Sequence, residues 1–411
     1  MLNTPFTPDE LARYAGVTIG RCLDLQPGEL LLINYEHEHR PLALALADAA
    51  FRRGLRVDAQ VVDGLFDRAE IELASDTALG SFAPWRIARS VARTEPGTAA
   101  VFIDGSAELD ALDGCDPNRM AVRARRLGQQ LSELFERIEA NLDTSVILAY
   151  PTLAWARRVY PDLSPGAAQR ALAEDLLRFA RIGPEDGPGD DALSRHIASL
   201  RERADVANRL QIRELRFRGP GTDLRLGLPE DALWNCAEET NAHGRTVFGN
   251  LPSEEVYTSP AVSATEGVVR CTMPLAHQGR LFEELSAEFR DGRLVRLDTR
   301  TEEQRAALLA HLDVDEGGRR LGEVALVDAG SRIGQRGRLY WNTLLDENQA
   351  CHVAFGMGFA SCRRHGRRGA DLNSSRTHID VMIGSPEVEV TGTTATGEAI
   401  RLIADGVWRP I

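Results

Sequence analysis

The segments ELLLINY (residues 29–35), RPLALALADAAFRRG (40–54) and LRVDAQVV (55–62) decide the fold of the first half of the chain. The first is an apolar run suited to a strand that is buried on both faces. The second has the period of a helix, and Gly54 ends it. A strand, a helix and a further strand in this order are typical of a parallel sheet covered by helices.

Segments of the same kind continue toward the middle of the chain. GTAAVFIDG (97–105) and TSVILAYP (144–151) repeat the strand pattern, and a long amphipathic helix is predicted between them over residues 118–143. Further helices are predicted over residues 166–182 and 193–210. We therefore expect an α/β protein whose N-terminal domain is doubly wound, with a mostly parallel sheet.

The pattern changes after residue 210. The segment IRELRFRGPGTDLRLGLP (212–229) alternates polar and apolar residues around turn residues, which indicates antiparallel strands. Its GPG triplet does not stand between a strand and a helix, so it does not indicate a nucleotide site. We predict an N-terminal α/β domain at residues 1–210 and a mixed α+β domain at residues 211–411.

The composition of the 411 residues is that of a soluble globular protein, with 43% hydrophobic and 27% charged residues. A formal net charge of -13 argues against nucleic acid or an anionic membrane as the main partner. The six cysteines are scattered without a CxxC pair, which indicates reduced thiols. Asp9 and Glu10 stand where a signal peptide needs basic and then apolar residues. We expect a cytoplasmic protein.

The segment SSRTHIDVMIG (374–384) carries a histidine and an aspartate two residues apart in an apolar, β-prone run. Side chains alternate along a strand, so His378 and Asp380 share one face, while Ile379 and Val381 point to the other, which resembles a core face. An imidazole and a carboxylate arranged in this way bind a metal, form a buried ion pair or face solvent. The segment alone leaves these three interpretations open.

Further candidate ligands stand beside apolar strand segments in the second half of the chain. They are Glu254 and Glu255 in NLPSEEVYTSP (250–260), Glu323 in RRLGEVALVDAG (319–330), and Asp346, Glu347 and His352 in TLLDENQACHVAFGMGF (343–359). Taken singly, these residues are better explained by structural roles: Glu255 as a turn cap, Glu323 as a solvated strand end and His352 as a core histidine. Taken together, they would leave costly unpaired charge, which a pair of divalent metal ions would compensate. Carboxylates with imidazoles suit Zn²⁺, Co²⁺ or Mn²⁺.

These motifs resemble those of the thermophilic aminopeptidases of the aminopeptidase T and aminopeptidase S type. The resemblance rests on NLPSEEVYTSP, RRLGEVALV, TLLDENQACHVAFG and HIDVMIGS in this order, and it extends to RFRGPGTDL (216–224), AWARRVYPDLSP (154–165) and GVWRPI (406–411). It therefore covers most of the chain.

The resemblance implies a cytoplasmic, homodimeric enzyme that removes N-terminal residues from peptides with a free N-terminus by means of two metal ions. It implies that Glu323 is shared between the two metals and that Glu347 is a further ligand or an acid beside them. Glu347 and Glu254 are the catalytic candidates, and Glu254 is the less suited of its pair to bind metal. The metal ligands implied are Glu255, Glu323, Glu347, His352, His378 and Asp380.

One position departs from the pattern of this family. Where the family has a tyrosine seven residues after the histidine of the DEN motif, this chain has Phe359. Phenylalanine has no hydroxyl group, and the loss of a donor to an oxyanion costs roughly 10²–10³ in rate. Tyr340 and Tyr257 are the nearest replacements by sequence.

Two other functions fit the same residues. His352, His378 and Asp380 would also supply the triad of a mononuclear Fe²⁺ ring-cleaving dioxygenase, a class whose dihydroxypyridine members resemble this family. A catalytically weak relative that binds metals and peptides is the other alternative. The basic loop RRHGRRG (363–369) is interpreted either as a solvated loop or as a rim that attracts the carboxylate of the substrate.

Overall fold

The computed structural model describes residues 4–105, 107–187, 189–277, 280–366 and 369–409. It contains two compact units. The first unit comprises residues 1–194 and 239–251, and the second comprises residues 195–238 and 252–411. The predicted domain boundary at residue 210 is a statement about which parts of the chain fold independently. Compactness does not test independent folding, so this boundary stays a prediction. Within the described residues, no helix is both long and apolar enough to cross a membrane.

Helices are concentrated in the first half of the chain, as the sequence predicts. The α-helices of the described residues are α1 (Pro8–Val17), α2 (Arg40–Arg52), α3 (Gly64–Leu73), α4 (Pro84–Ala92), α5 (Pro117–Gln130), α6 (Ser132–Glu139), α7 (Leu153–Val159), α8 (Pro165–Phe179), α9 (Asp191–Leu210), α10 (Glu302–Leu312) and α11 (Thr343–Asp346).

Strands of the first half are widely spaced along the chain, whereas those of the second half follow one another closely. The former are β1 (Leu30–Tyr35), β2 (Arg56–Val61), β3 (Thr98–Asp104) and β4 (Ser145–Ala149). The latter are β5 (Ile212–Gly219), β6 (Thr222–Gly227), β7 (Asn235–Cys236), β8 (Glu238–Thr240), β9 (Thr246–Phe248), β10 (Asn250–Leu251), β11 (Glu255–Thr258), β12 (Thr265–Arg270), β13 (Leu275–His277), β14 (Arg280–Phe282), β15 (Ser286–Arg290), β16 (Arg293–Asp298), β17 (Leu321–Val327), β18 (His352–Gly356), β19 (His378–Met382), β20 (Glu389–Thr394), β21 (Ala399–Ala404) and β22 (Val407–Trp408).

The first unit is built on a parallel sheet with the strand order β10-β4-β3-β1-β2. The chain moves from β1 to β2 on one side and then from β3 to β4 on the other, so the sheet is doubly wound. The side chains of Leu31, Leu32 and Ile33 in β1, an interior strand of this sheet, are buried, as expected for a strand covered on both faces. The predicted α/β fold with a mostly parallel sheet is confirmed.

The long helix predicted over residues 118–143 is two helices, α5 and α6. Leu131 separates them because its backbone, with φ -95° and ψ 11°, leaves the helical conformation for one residue. Ser132 follows directly, and serine competes with helix formation through its own hydrogen bonds to the backbone. Both helices keep the amphipathic character on which the prediction rested.

The second unit contains two antiparallel sheets that share one hydrophobic core. We call the first the site sheet; its strand order is β19-β18-β17-β11-β7. The second, which we call the large sheet, has the order β16-β15-β12-β6-β5-β20-β21-β22. The core joins one face of each sheet, through Val324, Val353 and Val381 of the site sheet and Leu215, Leu224 and Val390 of the large sheet. This is the predicted mixed α+β part of the chain.

Candidate metal centre

The register of the site sheet brings five of the sequence-predicted ligands to one face. Residues that are directly opposite each other in antiparallel strands point to the same side of the sheet. Glu323, Ala354 and Asp380 form one such row, and Gly356 lies opposite His378. His352 lies opposite Ala325, which in turn lies opposite Tyr257, two residues from Glu255 on β11. The acids and imidazoles therefore converge on the face turned away from the core.

The ligand atoms form two overlapping groups. Oxygen and nitrogen atoms of Glu255, Glu323 and His352 lie within 4.8 Å of one another, and those of Glu323, His378 and Asp380 do so as well. Glu323 belongs to both groups. The Nε2 atom of His352 lies 3.3 Å from Glu255 Oε2, and that of His378 lies 3.0 Å from Glu323 Oε2.

Each histidine is oriented by a backbone carbonyl group. His352 Nδ1 donates to the carbonyl oxygen of Ala350 at 3.3 Å, and His378 Nδ1 donates to that of Met357 at 3.1 Å. A donated Nδ1–H fixes the tautomer in which Nε2 carries the lone pair when the ring is neutral. In both residues, Nε2 is the nitrogen that faces the carboxylates, as a metal ligand requires.

Small residues separate the ligands on this face. Ala354 lies between Glu323 and Asp380 in one row, Ala325 lies opposite His352, and Gly356 stands opposite His378. Val324, Val353 and Phe355 alternate with them and point into the hydrophobic core. No bulky side chain of these strands therefore separates the ligands, while the rigid core holds the strands that carry them.

Burial makes the protonation of this cluster strongly interdependent. Burial raises the pKa of Glu323, since its charged form loses contact with water. For His352, burial favours the neutral ring, but the adjacent Glu255 carboxylate outweighs this and raises the pKa to about 9. Burial also opposes ionisation of Asp380, yet the neighbouring imidazole of His378 lowers its pKa overall. Divalent cations fit this donor set, because they compensate several buried carboxylates at once.

Glu347 is buried beside this cluster but lies outside the two ligand groups identified among the described residues. Burial and the charges of Asp380 and Glu255 raise its pKa well above the usual range. Its carboxyl group hydrogen-bonds Asp380, and Asn348 Nδ2 donates to its Oε1 at 3.4 Å. Glu347 therefore lies next to the ligands, where its carboxyl group can accept or donate a proton.

Glu254 points away from its neighbour Glu255, as expected in an extended segment. Its Oε2 atom lies 3.5 Å from Nε2 of His196 on α9, and His196 also bonds the carbonyl oxygen of Ser253 at 2.8 Å. The amide nitrogen of Glu254 donates to Asn348 Oδ1 at 2.6 Å. His196 and Asn348 were not predicted; Asn348 stands in the DEN motif, but no sequence signal links His196 to this segment.

Aromatic rings border the ligand groups. The ring of Phe359 lies 5.1 Å from that of His378 and contacts Tyr257 edge to face at 5.8 Å. Tyr257 lies on the metal-facing side of the site sheet and is partly exposed, whereas the side chain of Tyr340 is fully buried. Of the two replacements considered for the missing hydroxyl group, Tyr257 is thus the one beside the site.

The basic loop at residues 363–369 is described only in part. Arg363 forms ion pairs with Asp231 and, at 2.7 Å, with Asp371, so its charge is compensated within the protein. Arg364 and His365 are exposed. Arg367 and Arg368, on which the predicted attraction of substrate carboxylates also depended, lie outside the described residues.

The close approach of β18 and β19 depends on a glycine. Gly356 has φ +102°, and a Cβ atom there would overlap the carbonyl oxygen of Thr377. We therefore expect Gly356→Ala to lower the free energy of unfolding by at least about 2 kcal/mol, measured by urea denaturation. Gly337→Ala is the matched control, because Gly337 also has a positive φ but no atom near the added methyl group; it should lose only about 1 kcal/mol. Equal losses would contradict the steric explanation.

Comparison with known proteins assigns this arrangement to a family. The model of the family described as "Thermophilic metalloprotease (M29)" matches residues 7–408. Aminopeptidase T of Thermus thermophilus is 33% identical to this chain over 97% of it and 98% of the relative. Aminopeptidase AmpS of Bacillus subtilis is 30% identical, with the same coverage of 97% and 98%.

Solved structures agree with the sequence comparison. The structure of wild-type AmpT from Thermus thermophilus superposes with a TM-score of 0.88 at 32% identity and covers 98% of this chain and 99% of that one. That of 2,5-dihydroxypyridine dioxygenase from Pseudomonas putida KT2440 gives a TM-score of 0.55 at 13% identity and covers 99% of each chain. The second likeness is one of fold alone.

A buried set of carboxylates and imidazoles on a rigid sheet is the kind of site that binds divalent metal ions. With the matches above, the chain belongs to the thermophilic metalloprotease family. It is an enzyme, a metal-dependent aminopeptidase, as the motifs predicted.

Proposed function

We propose that this aminopeptidase uses two divalent metal ions, Zn²⁺, Co²⁺ or Mn²⁺, to remove single residues from peptides with a free N-terminus. We infer two ions because Glu323 belongs to both ligand groups. One group would hold one ion and the second group the other, with Glu323 between them. The proposed ligands are Glu255, Glu323, His352, His378 and Asp380, and Glu347 is a further ligand or an acid beside them.

When bound, such a metal pair activates a water molecule at neutral pH and polarises the scissile carbonyl group. The protein contributes the proton transfer. We assign to Glu347 the acceptance of a proton from the attacking water and its delivery to the leaving amine, because its carboxyl group hydrogen-bonds Asp380 and lies next to the two ligand groups without belonging to either. The catalytic role of Glu254 stays a prediction. Comparing kcat of Glu254→Gln with that of the wild-type enzyme tests it directly.

Recognition of a free N-terminus follows from the same proposed site. The free α-amine of the substrate would bind one of the metal ions directly, or a carboxylate beside it, and an acetylated amine could do neither. Internal peptide bonds are excluded because they offer no free amine.

Metal dependence and exopeptidase specificity are tested in one experiment. The chelator-stripped protein should cleave Leu-Gly-Gly only after Zn²⁺, Co²⁺ or Mn²⁺ is returned, and it should leave N-acetyl-Leu-Gly-Gly intact under every condition. Native mass spectrometry of the reloaded protein should show two ions per chain. Cleavage of the acetylated peptide would contradict the proposed recognition, and a single ion at saturation would contradict the dinuclear site.

We also propose a homodimer. Large apolar side chains of the first unit, among them Phe66, Leu73 and Trp85, are 77%, 81% and 64% exposed, which is typical of surfaces that contact another protein. Light scattering of the purified protein at micromolar concentration should give twice the mass of 45.1 kDa. The cytoplasmic location stays a prediction.

A further inference from the structure

A phenol group stands on the metal-facing side of the site sheet. Among the described residues of this face, the strands contribute carboxylates and imidazoles, small or apolar side chains, Asn235 and Tyr257. The amide group of Asn235 donates to the carbonyl oxygen of Ser361 at 3.0 Å. Tyr257 therefore supplies the O–H group of this face, and its side chain is partly exposed within a buried segment.

The register directs Tyr257 toward both ligand groups. Glu255 is two residues away on the same face of β11, and Glu323 is the diagonal neighbour across β17. Diagonal neighbours in an antiparallel pair are roughly 7–8 Å apart, within the reach of an aromatic side chain. Ala325 lies between Tyr257 and His352, so only a methyl group separates them in this row. On its other side, the ring of Tyr257 rests against Phe359, whose own ring lies 5.1 Å from that of His378.

Peptide hydrolysis places a negative charge where such a donor is useful. The water oxygen forms a bond to the carbonyl carbon, and the π electron pair moves to the carbonyl oxygen, which becomes an oxyanion. The surrounding carboxylates repel this charge, so a neutral donor of fixed orientation lowers the barrier. The phenol keeps its proton throughout, because it acts as a hydrogen-bond donor and not as an acid.

We propose that Tyr257 donates a hydrogen bond to the carbonyl oxygen of the scissile bond as that oxygen becomes an oxyanion. This inference rests on the proposed aminopeptidase reaction. Tyr257 is then a catalytic residue that no ligand motif identifies, and Phe359 is its packing partner. The apolar ring of Phe359 holds the phenol in place without competing for the same oxygen.

The test compares Tyr257→Phe with the wild-type enzyme after reloading with metal. The variant retains the ring, and hence the contact with Phe359, so a role in packing alone would leave it active. We expect kcat for Leu-Gly-Gly to fall by roughly 10²–10³ with little change in KM. Tyr35→Phe, in the first unit, is the matched control for loss of a tyrosine hydroxyl group and should keep the wild-type rate.

Binding gives a second readout that does not depend on turnover. Calorimetry should show that Tyr257→Phe weakens the affinity for the phosphonate analogue of leucylglycine, a mimic of the tetrahedral oxyanion, by roughly the factor lost in kcat. The affinity for leucine and the metal content should be unchanged. An unchanged phosphonate affinity would overturn the proposal.

Phe359→Tyr decides whether the site lacks a donor. If Tyr257 already fills this role, the added hydroxyl group should change kcat by less than about threefold; a large rise would show that Tyr257 does not donate. Failure of the aminopeptidase assignment is distinguishable, because the wild-type enzyme itself would then not cleave Leu-Gly-Gly. Wild-type activity together with an unaffected Tyr257→Phe variant would overturn only the role of Tyr257.

Discussion

Glu323→Gln should abolish peptide hydrolysis and reduce the bound metal to less than one ion per chain. Glu323 is the residue that both ligand groups share, and its Oε2 atom lies 3.0 Å from Nε2 of His378. An amide oxygen carries no charge, so two proposed ions would lose a ligand at once. Since the loss of a group that merely orients a ligand costs about 10–100-fold in metal affinity, loss of this carboxylate should cost more than about 100-fold.

The measurement is the metal content after dialysis against a metal buffer, with kcat recorded on the same samples. Glu303→Gln is the matched control, because it makes the same chemical change at an exposed position on α10 and should leave both quantities unchanged. Circular dichroism of the metal-free proteins separates loss of metal from loss of fold. If Glu323→Gln retained two ions and wild-type turnover, the dinuclear site proposed here would be wrong.

The face on which each ligand would lie was predictable wherever strand periodicity was strong. The alternation in HIDVMIG places His378 and Asp380 on one side, and Ile379, Val381 and Ile383 are indeed members of the hydrophobic core. The parallel sheet of the first unit followed equally well from the apolar runs around β1. In both cases, local patterns determine the structure because burial selects one face or both faces of a strand.

Convergence of the ligands was not predictable from periodicity, because it depends on register. The pairing of β17 with β18 shifts between Leu321 and Glu323, and this irregularity sets Glu323 opposite Ala354. A one-residue change in register would move a ligand to the other face of the sheet. No local signal in RRLGEVALV fixes that shift, and resemblance to the family motifs supplied the missing information.

The contacts of Glu254 illustrate a second limit. Whether this acid joins the ligands depends on its neighbours His196 and Asn348, which stand 58 positions before it and 94 positions after it in the chain. Contacts between residues so far apart arise from tertiary packing. The sequence predicted that one acid of the pair would point away from the site. It did not predict which groups that acid would contact.

Ala354→Leu should be as damaging as loss of a ligand, although it removes no donor atom. Ala354 lies between Glu323 and Asp380 in one row of the site sheet, on the face where the ligands converge. A leucine there would fill the space among the carboxylates and hold them apart. Insertion of extra methylene groups into a packed site typically costs about 1–3 kcal/mol, which the rigid core beneath the strand should tolerate without unfolding.

We therefore expect the Ala354→Leu protein to be folded, to bind less than one ion per chain and to have no measurable activity on Leu-Gly-Gly. Ala354→Ser is the matched control, since it adds a single atom at the same position and should retain both ions. Urea denaturation of the metal-free proteins reports the cost of packing separately from metal content. Two tightly bound ions in the leucine variant would mean that the metals do not lie over this row, because a side chain of that size and the ions could not share the space between Glu323 and Asp380.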